Sequence, residues 1–328
     1  MSIGLGSKKI LVLGVGRSGT TAIYSLLQKI FEDQYPQQTD YVYEPFLWDR
    51  STFNKHYLKI TNEFHVADAV SVEGMYHHRQ IPLFCDQQAD VADASVNWLQ
   101  TLFCPEAAKS HSIVKMIRAN GRIDLIRQIV PEVRIIALLR NPLDVINSAI
   151  NRFSFFGDEF HQSDFNRFRQ ELSLFQNVSA AQLPDADDVV GRETAFWYAM
   201  NQHLVDRLEH NHDHVLPVVY EQFDRHREQI VEEICRFVGV EVQPAYSQHV
   251  RNSVGPVTGS EVNLTARQYL TVESKLAEYA TMVSRLTDYD VSEQLHAARE
   301  RFISSSFREQ GIARSHRFNS LYAQNQLK

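Results

Sequence analysis

Gly14-Val-Gly-Arg-Ser-Gly19-Thr-Thr21 is the stretch of the chain most plainly built for chemistry. An apolar run rich in β-branched residues, Lys9-Ile-Leu-Val-Leu-Gly14, leads into it. Thr20 to Phe31, with Ile23, Leu26, Leu27 and Ile30 at helical spacing, leads away. A strand, a glycine loop and a helix in that order aim backbone N–H groups and the positive end of the helix at one point, and that point binds an anion. The spacing Gly-x4-Gly-x-Thr is that of a nucleotide phosphate loop, except that Thr20 stands where a Lys would reach the β- and γ-phosphates. The exchange weakens triphosphate chemistry. In its place Arg17 offers a planar fork of donors to a phosphate or sulfate oxygen. The plainer alternative is a glycine turn with a surface arginine.

A second constellation, Leu139-Arg140-Asn-Pro142-Leu-Asp-Val-Ile-Asn-Ser148, puts Arg140 at the end of a strand and Ser148 two turns into the next helix, where both can grip another phosphate. Taken together, the two motifs resemble those of the sulfotransferases that use 3′-phosphoadenosine 5′-phosphosulfate (PAPS). The resemblance implies that Arg17, Ser18, Gly19, Thr20 and Thr21 bind the 5′-phosphosulfate and that Arg140 and Ser148 bind the 3′-phosphate. It extends to Val219-Tyr220-Glu221, similar to the family's Tyr-Glu-Asp strand end, which would set Tyr220 by the adenine; a purely packing tyrosine is the alternative. It covers about residues 9 to 239. PAPS, with adenosine 3′,5′-bisphosphate (PAP) as product, is the implied cofactor, and no metal is required.

Sulfuryl transfer needs stabilisation of negative charge around the transferred group and a base for the acceptor's proton. Arg17 and Lys115 are the candidates for the first task, Lys115 because similar enzymes carry a functional Lys near the end of this strand. For the base, the cytosolic branch of the family uses a His two residues beyond that Lys, but Ile117 stands here. Tyr41-Val-Tyr-Glu44-Pro45-Phe46 resembles the Glu-Pro segment of the carbohydrate and tyrosylprotein sulfotransferases, which makes Glu44 the candidate base. A His from an insertion stays open. Arg118 and Arg122 flank the same mouth and would meet an anionic acceptor or the cofactor, or else be solvated. Arg251-Asn-Ser-Val-Gly255 faintly resembles the family's C-terminal loop over the cofactor. His77-His78 and His212-Asp-His214 lack metal-ligand spacing and read as solvated or capping residues.

These residues must be held by alternating strands and helices. Strands are expected at residues 9–14, 112–117, 133–139 and 215–220, and helices at 20–31, 122–129, 142–153, 193–210 and 228–238, the last closed by Gly239. Strands apolar on both faces and alternating with helices predict an α/β fold, a parallel β-sheet flanked by helices of the P-loop nucleotide-binding type. The chain is expected to form a single domain with its PAPS-binding core at about 9–240. Polar stretches at 50–109 and 154–192 read as insertions for an acceptor pocket or lid, and 262–328 as a C-terminal helical extension with helices near 270–286 and 291–302.

Composition narrows the rest. With 328 residues, 44% of them hydrophobic, the chain reads as an ordinary soluble globular protein. A net charge of −7 argues against a nucleic-acid or anionic-membrane binder. Yet residues 8–31 hold four basic and no acidic side chains and residues 111–152 seven against three, so the anion-binding segments are locally basic. No apolar run is long enough for a transmembrane segment, and Met1 to Lys9 does not read as a signal peptide. Cys85, Cys104 and Cys235 form neither a disulfide framework nor a metal motif, which fits a cytoplasmic setting. The sequons at Asn177 and Asn263 are discounted accordingly. The reading is a sulfotransferase moving the sulfuryl group from PAPS to a hydroxyl acceptor, a small molecule or a glycan or lipid-linked alcohol. A homodimer is compatible with it. The alternatives are a P-loop kinase or nucleotide hydrolase and a noncatalytic nucleotide-binding module.

Overall fold

Ile10 and Val12 pack into one apolar cluster and Leu11 and Leu13 into another, all of them fully buried, so the first strand needs a layer of helices on each face. The computed structural model describes residues 6–45, 72–105, 109–153, 165–171, 188–208, 213–253 and 262–306. Its five strands are β1 Lys9–Gly14, β2 Thr39–Tyr43, β3 His111–Ile117, β4 Arg134–Leu139 and β5 Val215–Val219. They form one sheet in the order β2-β3-β1-β4-β5, with every pairing parallel. The connection reverses its direction at β1, whose neighbours are β3 and β4. Open parallel sheets bind ligands beyond the carboxyl ends of their strands at such a switch point.

One face is covered by α1 (Thr20–Gln34) together with helices Arg227–Val238 and Pro244–Ser253. Gly239 closes the first of these in the left-handed conformation (φ 70°), as the sequence predicts. The other face is covered by helices Asp93–Leu102, Ile123–Ile129, Pro142–Phe153 and Val189–Leu208, and by three C-terminal helices, Ala266–Glu273, Leu276–Leu286 and Ser292–Ser306.

Three expectations change in detail. The long helix starts at Val189, ahead of Glu193, because the Asp188 carboxylate accepts the Gly191 N–H at 2.8 Å and caps it. The helix expected over 270–286 is two helices. They part at Ser274, whose hydroxyl donates to the Thr271 carbonyl at 2.8 Å and competes with helical pairing there. Within the stretch read as an insertion, Ile81, Leu83, Phe84, Leu99, Leu102 and Phe103 are buried in the main cluster, so this part covers the sheet. Residues 50–71, 106–108, 154–164 and 172–187 of the two stretches, and with them Asn177, lie outside the described residues. All three cysteines are free. Among the described residues no helix is long and apolar enough to cross a membrane.

Candidate active site

The loop after β1 is shaped by two glycines. A Cβ on Gly14 would lie 2.9 Å from the Leu138 carbonyl oxygen on the neighbouring strand. Gly19 has φ 94°, a conformation disfavoured for any other residue, and a Cβ there would strike the Tyr220 ring. Between them the Ser18 N–H donates to the Val15 carbonyl at 3.1 Å, and Gly19 forms the N-cap of α1, whose first orphan N–H groups face the loop. The Ser18 hydroxyl is buried and has no hydrogen-bond partner among the described residues. A buried polar atom left this way, beside a helix N-terminus, fits a bound anionic oxygen.

The second motif meets this loop directly. Arg140 Nη1 donates to the Arg17 carbonyl at 3.1 Å, and Arg17 Nε donates to the Ser148 hydroxyl at 2.9 Å. Two turns more than a hundred residues apart in sequence are thereby joined, since β1 and β4 are neighbours. The Arg140 guanidinium lies 4.3 Å over the Tyr220 ring, and its Nε is buried with no hydrogen-bond partner among the described residues. Tyr220 thus touches both motifs, packed on Gly19 and under Arg140.

The turn after β4 is locked by its own residues together with side chains from later segments. Asn141 caps helix Pro142–Phe153, its Oδ1 accepting the Asp144 N–H at 3.0 Å. Its backbone N–H and Nδ2 both donate to Glu221 Oε1, at 2.9 and 2.7 Å. Glu221 is fully buried, which raises its pKa, although the Tyr279 hydroxyl and Asn141 bond to it. Asp144, also buried, accepts from Arg301 and Asn141 and lies 3.5 Å from Arg140 Nη2. Asn141 and Asp144 carry an N-cap signature legible in sequence; Tyr279 and Arg301 carry no such signal.

On the other side of β1, Glu44 and Lys115 form a buried ion pair, at the end of β2 and within β3 respectively. Tyr43 is the register partner of Lys115, and the Glu44 N–H continues the ladder to the Lys115 carbonyl at 2.8 Å. Glu44 is turned inward by a left-handed backbone (φ 42°). Burial disfavours the charged form of Lys115, but Glu44 and Tyr43 outweigh it and hold its pKa above the ordinary lysine value. The Lys115 ammonium sits 4.0 Å over the Tyr43 ring, whose hydroxyl shares a 3.2 Å hydrogen bond with Thr21, tying this side to the glycine loop. Thr20 is buried behind that loop.

Arg118, just past β3, is also left-handed (φ 64°), as is Arg17 (φ 74°). Three of the four non-glycine residues with positive φ among the described residues therefore belong to this edge of the sheet, and such strain gathers at functional sites. The Arg118 guanidinium faces the Phe196 ring at 5.2 Å, and burial lowers its pKa against the pull of Glu193 and Glu44. Arg122 departs from expectation. It is 1% exposed and donates to the Pro82 carbonyl at 2.7 Å and the Ile81 carbonyl at 2.6 Å, so it braces a buried turn. His77 is not solvated either: it is buried, bonded to Ser95 at 2.9 Å and stacked on Trp98. Arg251 lies exposed in a helix, while Val254 and Gly255 of its loop, like Phe46 and His212, fall outside the described residues.

Arg17, Ser18, Gly19, Thr20, Thr21, Arg140, Ser148, Tyr220, Lys115 and Glu44 are thus gathered along the carboxyl edge of one sheet. The donor set suits a ligand with two separated phosphate-type groups, one at the β1 loop and one at the β4 turn.

A family model described as "Sulfotransferase family" matches residues 9–244. No curated protein matches the chain. Among solved structures, sulfotransferase STF9 from Mycobacterium avium is similar at 17% identity and a TM-score of 0.46, over 84% of this chain and 77% of that one. A sulfotransferase from Alicyclobacillus acidocaldarius is similar at 16% and 0.43, over 90% and 100%. Mouse sulfotransferase SULT7A1, complexed with PAP, is similar at 13% and 0.37, over 97% and 89%.

Proposed function

The chain belongs to the sulfotransferase family, and from that premise we propose that it transfers the sulfuryl group of PAPS to a hydroxyl of a carbohydrate or lipid-linked alcohol. The observation that carries this reading is the meeting, on one sheet edge, of two anion-binding turns and one buried carboxylate and ammonium pair. Arg17, Ser18, Gly19, Thr20 and Thr21 would hold the phosphosulfate end, Arg140 and Ser148 the 3′-phosphate, with Tyr220 beneath both. PAPS, when bound, supplies an activated sulfuryl group, with PAP as the part left behind.

The protein's share is a base and a fixed positive field. Glu44 is the base, accepting the proton of the acceptor hydroxyl on a carboxylate oxygen. In the resting pair Glu44 and Lys115 neutralise each other. Once Glu44 is protonated, the Lys115 ammonium loses its counter-charge, and in a buried site an uncompensated charge acts strongly on what lies next to it. Proton removal and charge stabilisation are coupled in one pair, and Arg17 adds a second cation from the loop. These cations supply the positive charge that a metal would otherwise bring. The choice of an alcohol acceptor rests on the likeness of the Glu44-Pro45 segment to that of the carbohydrate sulfotransferases.

Thermal unfolding tests the donor assignment. At about a hundredfold excess over its Kd, PAP stabilises the fold by about 2.7 kcal/mol, while ATP with magnesium does much less. Equal shifts, or none, would overturn it. A screen of labelled PAPS against glycans, lipids and small metabolites identifies the acceptor. PAPS bound but consumed with none of them would leave a binding module.

A further inference from the structure

The family match ends at residue 244, yet two side chains from beyond it reach the turn after β4, Arg301 directly and Tyr279 through Glu221. Arg301, on helix Ser292–Ser306, bonds to Asp144 Oδ1, and Tyr279 bonds to Glu221 Oε2. The surroundings of Arg140 make the first contact matter. Two carboxylates lie close to that guanidinium, Asp144 directly and Glu221 through Asn141, and both are buried. With Arg140 alone against them, the turn would be negative overall and would repel a phosphate. Asp144 would also draw Arg140 into a closer pair and occupy the donors a ligand needs. Arg301 takes Oδ1 of Asp144, while Asn141 Nδ2 takes Oδ2 at 3.0 Å. Arg140 is left at 3.5 Å from that carboxylate, steered by the Arg17 carbonyl and the Tyr220 ring, with its buried Nε unbonded among the described residues.

We infer that Arg301 is a positioning residue: by neutralising Asp144 it keeps the Arg140 guanidinium available to a phosphate, so the C-terminal helices are a working part of the donor site. The inference rests on the donor reading above. Arg301 touches no ligand in this scheme and acts through Asp144 and Arg140.

Calorimetric titration of the full chain with two probes tests it: PAP, and adenosine 5′-monophosphate, which lacks the 3′-phosphate. In Arg301→Ala and the better space-filling Arg301→Gln, PAP affinity falls about tenfold, as is usual when a partner behind a binding group is lost. Adenosine 5′-monophosphate affinity stays within about twofold, because Arg140 has no phosphate to meet. Arg301→Lys recovers most of the PAP affinity. An equal loss for both probes would mean general loosening and overturn the inference, as would unchanged PAP binding in Arg301→Gln. A wild type that binds neither probe overturns the donor reading, and the positioning role with it.

Discussion

The β1 and β4 side of the site is made of two strand-to-helix turns that lock onto each other, whereas the β2 and β3 side is made of one buried ion pair. In the first, Gly14 lets the backbone of β4 approach and Gly19 lets the Tyr220 ring approach, and the two turns exchange hydrogen bonds through Arg17 and Arg140. In the second, Glu44 and Lys115 satisfy each other in a place where neither would tolerate being alone. Anion binding can be built from backbone N–H groups that every residue but proline carries. Acid and base chemistry needs particular side chains, held by a fold that takes their charges out of water.

That contrast can be broken by mutation. The largest effect is expected for Glu44→Gln, which keeps the shape and removes the base: turnover falls by about 10⁴-fold, the upper range for such a group, while PAP still binds at least as tightly as to the wild type. Retained turnover in a direct assay would remove Glu44 from its role.

Lys115→Met leaves a buried carboxylate unpaired and lowers unfolding stability by about 3–5 kcal/mol in denaturant titration. Adding Glu44→Gln to it recovers much of that loss. A double variant as unstable as the sum of the two would show that the pair is not coupled.

On the opposite side, Gly19→Ala forces a Cβ into the Tyr220 ring at φ 94°. It is expected to weaken PAP binding by about 10²-fold, in line with strain of about 1–3 kcal/mol carried onto the loop. If PAP bound normally, the loop would be more plastic than its packing implies.

The smallest effect lies in the scaffold behind the Lys115 side. Burial, with the Arg207 charge beside it, pushes His203 down to about 4. The unfolded chain therefore takes up a proton on this residue before the folded one does. The stability that neutral His203 contributes is present above its unfolded pKa and is lost as the pH falls toward the folded value. Between about pH 7.5 and about pH 5 the loss is about 2 kcal/mol. Urea titrations of the wild type and His203→Gln should differ in that pH slope. Identical slopes would place the titration elsewhere.

The glycine loop and the Arg140 to Ser148 segment were legible in sequence because each lies within one strand, turn and helix, where spacing alone carries the geometry. Glu44 and Lys115 could be named from the resemblance, but their pairing could not, since β3 meets β2 only through the sheet. Arg122 shows the converse. Its place after β3 suggested the mouth, yet its guanidinium points into the turn at 81–82, which no local pattern foretells. The packing of residues 81–103 was missed for a different reason: their polar content masked an amphipathic helix with one buried face.

The sequence by itself determined four of the five strands, the helices that alternate with them, the parallel sheet and the position of the turns after β1 and β4, because these depend on periodicity and on contacts a few residues apart. Only the tertiary structure decided that the two turns exchange hydrogen bonds, that Lys115 faces Glu44, and that Arg301 reaches Asp144 across 157 positions. Those contacts depend on strand order and helix packing, in which residues distant along the chain become neighbours through burial that no local stretch can encode.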